Sequence, residues 1–100
     1  MIMKQIYADF VKMDYESRLV LTCTGTRNDL ETQNIILEDG MRLVFYNHDE
    51  DEAGNSDNLV VEDIVGYDKG KQRWVANINW DEIKNISKLS FQDKQKLGIE

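Results

Sequence analysis

Apolar and polar residues alternate with a period of two in several short segments, and this alternation most constrains the fold. The clearest case is residues 72–80, "QRWVANINW", in which Trp74, Ala76, Ile78 and Trp80 fall on one side. Successive side chains of a β-strand point to opposite faces, so this period predicts a strand with one apolar face. Because tryptophan buries a large area, we expect both indoles to lie in the interior.

Other segments of the chain share this strand pattern and predict a β-rich protein. Residues 13–17 ("MDYES") are short enough to join the first two strands as a hairpin. In residues 59–67 the alternation is interrupted near Glu62 and Asp63, which predicts a bulge that returns Ile64 or Val65 to the core. The segments are residues 4–12, 18–23, 41–47 and 59–67.

One segment changes to a helical pattern. In "TRNDLETQ", Thr26 is a candidate N-cap, and Asp29 three residues later forms a carboxylate variant of the capping box. We therefore predict a short helix over residues 27–33. Farther along, residues 80–86 ("WDEIKNI") predict a single helical turn that leads into a last short edge strand.

The length and the order of these elements indicate one mainly β domain. A chain of 100 residues fits a single domain. Five short strands and one brief helix predict a small antiparallel five-stranded SH3-like barrel or a rolled sheet. We expect the domain to span residues 1–88. In the tail, residues 89–100, Ser90 and Asp93 are placed as a helix cap, so the tail forms either a short helix or a frayed end.

The charge of the chain is concentrated in one place. The net charge is −7, and the acidic segment, residues 48–57 ("HDEDEAGNSD"), has five carboxylates and no lysine or arginine. The remaining residues therefore sum to only −2. A negative field repels phosphates, so we expect neither nucleic-acid nor membrane binding. The lone Cys23 fits a reducing compartment, and we expect a cytoplasmic protein.

The acidic segment resembles an oxygen-rich calcium loop. In the twelve-residue register that begins at Asp49, Gly54 falls at the sixth position, where a sharp turn is needed. Ala53 and Val60 occupy the fifth and twelfth positions, which require oxygen ligands. Two alternatives are a solvated connection between strands and a surface that attracts a basic partner. The candidate calcium ligands are Asp49, Asp51, Asn55 and Asp57.

Three tyrosines fall outside the best apolar faces of the strands and form a second candidate site. Tyr7, Tyr46 and Tyr67 can line a groove for an extended peptide, or they can cover the ends of the fold. With Glu50 and Glu52 of the acidic segment, they are our candidate partner-binding residues.

His48 and Cys23 favour ordinary structural roles. His48 begins the acidic segment and is expected to be solvated, with a pH-responsive group as the alternative. Cys23 is expected to be a buried core thiol, since it shares a strand face with Leu19 and Leu21.

The run of "YADF", "RLVLTCTGTRNDLE", "DGMRLVFYN", the acidic segment and "RWVANINWDEI" resembles a small bacterial family of roughly hundred-residue β-rich proteins. The resemblance covers most of residues 6–86 and excludes the tail beyond Ser87. It rests on strand patterns, a helix cap and a strand that bears tryptophan. It implies no activity, no catalytic residue and no cofactor, and the similarity to SH3-like barrels concerns the fold alone.

These observations favour a non-enzymatic protein-interaction module. Binding of calcium through the acidic segment is the alternative. A hydrolase is the least favoured: the single histidine and the lack of a glycine-rich phosphate loop leave paired carboxylates as its chemistry, and the sequence does not show two acids sharing a cleft.

Overall fold

The computed structural model describes residues 4–99, which form one open, mixed sheet of six strands with two helices. The strand order is β1-β3-β4-β5-β2, and β6 pairs with β4. Single turns of 3-10 helix lie at Trp80–Glu82 and Ile86–Lys88. The elements are β1 (Gln5–Tyr7), β2 (Leu19–Val20), α1 (Thr24–Thr32), β3 (Arg42–Asn47), β4 (Leu59–Asp68), β5 (Arg73–Asn77), β6 (Lys84–Asn85) and α2 (Phe91–Leu97).

The mainly β class is confirmed, but the five-stranded antiparallel barrel is not what forms. β1 lies parallel to β3, with Ile6 opposite Phe45, and the connection between them passes through β2 and α1. Parallel neighbours need such a crossover and cannot be joined by a tight hairpin. The predicted hairpin turn at residues 13–17 does form, since Met13 lies antiparallel to Leu19 and the N–H of Val20 donates to the carbonyl of Lys12 at 2.9 Å. However, β1 itself pairs with β3 and not with β2.

The alternating apolar residues build the main core on one face of the sheet, as the sequence predicts, but the two indoles are only partly buried. Trp74, Ile78 and Trp80 pack against this core, and the indole Nε1 of Trp80 donates to the carbonyl of Ser17 at 2.7 Å. The buried members are Ile6, Ala8, Phe10, Leu19, Leu21, Leu43, Phe45, Val61, Val65 and Ala76.

The bulge predicted in β4 does not occur. The pairing of β4 with β3 keeps one register from Asn47 opposite Leu59 to Arg42 opposite Ile64. Val65 reaches the core because Asp63 takes the intervening position on the same face. The Asp63 carboxylate accepts the backbone N–H of Asn79 at 3.1 Å, and burial raises the pKa of Asp63.

A second, smaller core lies on the opposite face of the sheet and includes the tail. Leu97 of α2 is only 8% exposed and packs with Val44 and Val60. The predicted cap is confirmed, since the Ser90 hydroxyl accepts the backbone N–H of Asp93 at 3.0 Å. Within residues 4–99, no helix has the length and apolar character needed to cross a membrane.

Helix α1 exists where the sequence predicts a helix, but its predicted cap is wrong. The helix begins at Thr24, and Cys23 is the N-cap residue. Thr26 lies inside the helix and is fully buried, where its hydroxyl donates to the carbonyl of Tyr7. Asp29 also points to β1. The two residues of the predicted capping box therefore bond to a neighbouring strand.

Candidate functional site

Polar side chains of α1 cover the free edge of β1 and thereby fix the position of Tyr7. The Asp29 carboxylate accepts the backbone N–H of Tyr7 at 2.8 Å, and the Thr26 hydroxyl donates to its carbonyl at 2.6 Å. One turn later, the Gln33 amide donates to the carbonyl of Gln5 at 2.9 Å. An edge strand normally exposes these groups to other chains. Here the helix satisfies them.

Three aromatic rings meet where β1 and β3 lie side by side, and we call them the aromatic cluster. The parallel register sets Tyr7 opposite Tyr46, with their ring centroids 5.6 Å apart and their planes at 78°. The His48 ring completes the cluster at 5.5 Å from Tyr7 and 5.8 Å from Tyr46. Edge-to-face rings at these distances attract one another. Two of the three predicted tyrosines therefore come together, and His48, which is exposed as expected, contacts both.

The aromatic cluster and the start of α1 line a shallow, open depression of about 260 Å³, which we call the aromatic pocket. Gly25 makes the close approach of the helix possible, since a Cβ on it would lie 2.5 Å from the Cδ1 atom of Tyr7. Any larger residue would push the Tyr7 ring from its place. The pocket is lined by Tyr7, Gly25, Asn28, Asp29, Tyr46 and His48.

Hydrogen bonds hold both phenol groups of the pocket. The Tyr46 hydroxyl donates to Asp29 Oδ2 at 3.2 Å, and the Asn47 amide donates to the Tyr7 hydroxyl at 3.2 Å. Burial raises the pKa of Tyr46, and the negative charge of Asp29 raises it further. Tyr46 therefore stays neutral near pH 7 and keeps the hydroxyl proton that it donates to Asp29.

The acidic segment folds as a tight hairpin that extends β3 and β4. Backbone bonds join Asp57 to Asp49 and Asp51 to Asn55, each at 2.9 Å. The Asp51 carboxylate accepts the backbone N–H groups of Ala53 and Asn55, both at 2.9 Å. The bonds from Asn55 are the main reason that the pKa of Asp51 is lowered. This carboxylate therefore stabilises the turn.

Two other carboxylates tie the base of the hairpin to the segment around β6. The Asn85 amide donates to Asp49 Oδ2 at 2.8 Å. Ser87 donates its backbone N–H and its hydroxyl to the two oxygens of Asp57, at 2.9 and 2.6 Å. Glu50 and Glu52 are exposed, and in residues 4–99 their carboxylates accept no hydrogen bond and form no ion pair. Their charges are thus free to act on a partner.

The predicted calcium ligands are placed along the hairpin with different partners. Asp51 and Asn55 bond to each other within the turn, whereas Asp49 and Asp57 bond to Asn85 and Ser87. In the part of the chain that the structure describes, no three His, Cys, Asp or Glu residues form a group that could hold a metal ion. Calcium needs six to eight converging oxygens. Calcium binding stays a prediction that this arrangement does not favour.

The third tyrosine and the cysteine lie elsewhere. Tyr67 pairs with Trp74 of β5, and their ring centroids are 4.9 Å apart, so it is not part of the aromatic pocket. Cys23 is half-buried, not a core thiol, and its Sγ lies 3.0 Å from the Thr26 hydroxyl. Neither the close approach at Gly25 nor the edge-covering role of Asp29 is indicated by the sequence alone. The one indication of this site in the sequence is that Tyr7 and Tyr46 fall outside the apolar faces of their strands.

Two further cavities carry charges of both signs. A cavity of about 340 Å³ under α2 has four acidic residues and two lysines in its wall, and a cavity of about 390 Å³ beside Arg18 has three acids and three bases. In the second cavity Arg18 bridges Asp14 and Asp68, at 2.8 and 3.1 Å. The second cavity is therefore neutral overall, whereas the first has a net charge of −2 and, among residues 4–99, no aromatic ring in its wall. The aromatic pocket is therefore the site with the more distinctive chemistry.

No family model matches the chain, and no curated protein or solved structure is significantly similar to it. The bacterial family that residues 6–86 resemble therefore stays a resemblance, and function must be argued from the geometry of the site.

Proposed function

We propose that this protein is a non-enzymatic binding module that recognises a basic segment of a partner protein. The observation that carries the proposal is the continuity of two surfaces: His48 belongs to the aromatic cluster and is also the first residue of the acidic segment. Aromatic rings are frequent anchors of protein interfaces, and concentrated charge speeds the approach of an oppositely charged partner.

Different residues of the acidic segment stabilise the hairpin and remain exposed, and this supports the proposal. Asp49, Asp51 and Asp57 hold the hairpin in shape, while Glu50 and Glu52 are left for the solvent or a partner. A rigid hairpin presents these charges in one place at a lower entropic cost than a flexible loop would. The lone Cys23 agrees with a reducing compartment, so the proposal places the interaction in the cytoplasm.

Fluorescence anisotropy with a short labelled peptide rich in lysine and arginine tests the proposal, and the same peptide with glutamates serves as the reference. Glu50→Gln combined with Glu52→Gln is expected to weaken binding of the basic peptide about three- to tenfold, and added salt is expected to weaken it further. The matched control is Glu38→Gln with Asp81→Asn, which removes two exposed charges outside the acidic segment.

Two results would contradict the proposal. One is equal binding of the basic and the acidic peptide. The other is an equal loss in the control variant, which would mean that the net charge of −7 acts as a whole and no particular surface is used.

A further inference from the structure

We infer that the aromatic pocket binds the ammonium group of a lysine side chain of the partner, an inference that rests on the proposed function. It names the side chain that the site selects, whereas the proposed function requires only a basic segment.

The arrangement of the rings suits a cation. Tyr46 stands nearly perpendicular to both Tyr7 and His48, at 78° and 76°. Because these rings contact each other edge to face, the ammonium is placed at the open mouth of the pocket, which all three rings and Asp29 line. The face of an aromatic ring attracts a cation within about 6 Å of its centroid, and aromatic cages for alkylammonium groups use this attraction.

The charged side chain in the pocket wall is an acid, which is complementary to an ammonium group. Asp29 lines the pocket, and no lysine or arginine of the described residues does so. The Tyr46 hydroxyl and the Tyr7 N–H both bond to the same Asp29 oxygen, Oδ2. These two bonds fix the orientation of the carboxylate before a ligand arrives, which lowers the cost of binding.

The same bonds favour lysine over arginine. A guanidinium binds a carboxylate best through two parallel bonds, one to each oxygen. At Asp29, Oδ2 already accepts two donors, so this fork is not available. An ammonium is a compact charge on a flexible stem and needs only one free oxygen. The volume of about 260 Å³ is below the usual size of small-molecule sites and fits a single side chain.

Nuclear magnetic resonance with n-butylammonium, which carries the end of a lysine side chain, tests the inference. We expect saturable shifts of the ring protons of Tyr7, Tyr46 and His48, with butylguanidinium and n-butanol each binding about fivefold or more weakly. His48→Leu and Asp29→Asn are each expected to weaken n-butylammonium about fivefold. His48 is exposed, so its variant tests the pocket even if the Asp29 variant is unstable.

The outcomes separate this inference from the proposed function. The control Glu38→Gln with Asp81→Asn should leave the affinity for n-butylammonium unchanged. Equal shifts with n-butanol, or shifts confined to the acidic segment, would overturn the inference. If the basic peptide binds but n-butylammonium does not reach the pocket, the proposed function stands and the inference fails. If n-butylammonium binds and the peptide does not, the pocket recognises an ammonium group, but the proposed function fails and the inference about a lysine of the partner fails with it.

Discussion

The Asp29 carboxylate accepts the backbone N–H of Tyr7 at 2.8 Å, so a helix side chain occupies the place that a neighbouring strand would take. Thr26 of the same helix and its C-cap residue Gln33 bond to carbonyls of β1. The helix thus covers the edge strand and also builds one wall of the aromatic pocket. Stability and the shape of the candidate site are therefore linked through a few side chains of α1.

Loss of the Asp29 carboxylate should destabilise the fold. Asp29→Ala leaves the partly buried donors of Tyr7 and Tyr46 without an acceptor, so we expect the free energy of unfolding to fall by about 1–3 kcal/mol. Asp29→Asn keeps an oxygen acceptor and should cost less. Urea denaturation measures both, with Glu31→Ala on the exposed side of the same helix as the control. Wild-type stability of Asp29→Ala would show that the edge bond contributes nothing.

Substitution of Gly25 by alanine should lower the free energy of unfolding in the wild type and raise it in a Tyr7→Ala background. In the wild type, Gly25→Ala forces a Cβ to within 2.5 Å of the Tyr7 ring and should cost about 1–3 kcal/mol. In a Tyr7→Ala background the clash is gone, and alanine should stabilise the helix by up to about 1 kcal/mol over glycine. Gly66→Ala, whose Cβ would meet only Asp39 Oδ1 at 3.7 Å, is the control. The same sign in both backgrounds would refute the contact.

The tail helix should contribute measurably to stability. Leu97→Ala removes a side chain that is packed against Val44 and Val60, so a loss of about 2–5 kcal/mol is expected. Phe91→Ala in the same helix should change little, because Phe91 is 74% exposed. Thermal and urea unfolding of both variants make the comparison. If the two losses are alike, α2 does not dock on the sheet in solution.

Protonation of Asp14 and protonation of Asp63 should change the free energy of unfolding in opposite directions as the pH falls. Burial opposes ionisation of Asp14, but bonds from Arg18 and Glu16 outweigh it and lower its pKa. Its stabilisation is present above the unfolded pKa of about 4 and is lost as the pH falls through the folded pKa. The cost of Asp14→Asn should therefore shrink with acidification.

Burial raises the pKa of Asp63, so its ionised form destabilises the fold above that pKa. Relative to wild type, Asp63→Asn should become less stable as the pH falls.

Urea unfolding of both variants from pH 7 to below about pH 4 tests these signs. Parallel pH curves of the wild type and Asp14→Asn would contradict the lowered pKa of Asp14. A relative stability of Asp63→Asn that rises on acidification would contradict the raised pKa of Asp63.

Much of the main core could be predicted, because alternation is a local property of each strand. Ile6, Phe45 and Trp74 face the core for the reason that the sequence gives, namely a period of two. The pairing of the strands is not local. Nothing in residues 4–12 indicates that β1 takes a parallel partner in β3, whereas the turn at residues 13–17 is local and forms as predicted.

The candidate site was harder to predict for the same reason. The place of Asp29 after Thr26 fits a helix cap, and only the approach of β1 redirects both side chains to Tyr7. The second core could not be predicted from the sequence, because its members, among them Val44 and Leu97, are far apart in the chain and belong to different elements. In each case the missing information was which elements become neighbours.

Calcium should not bind the acidic segment as a saturable site. To gather ligands, the ion would have to break the bonds of Asp51 with Asn55 and those of Asp57 with Ser87, which stabilise the hairpin. We therefore expect the backbone amide spectrum to show only small, unsaturable shifts at millimolar calcium, as an exposed charged surface does. Magnesium at the same ionic strength is the control. Saturable, calcium-specific shifts centred on Asp49, Asp51, Asn55 and Asp57 would show that the hairpin rearranges into a metal site.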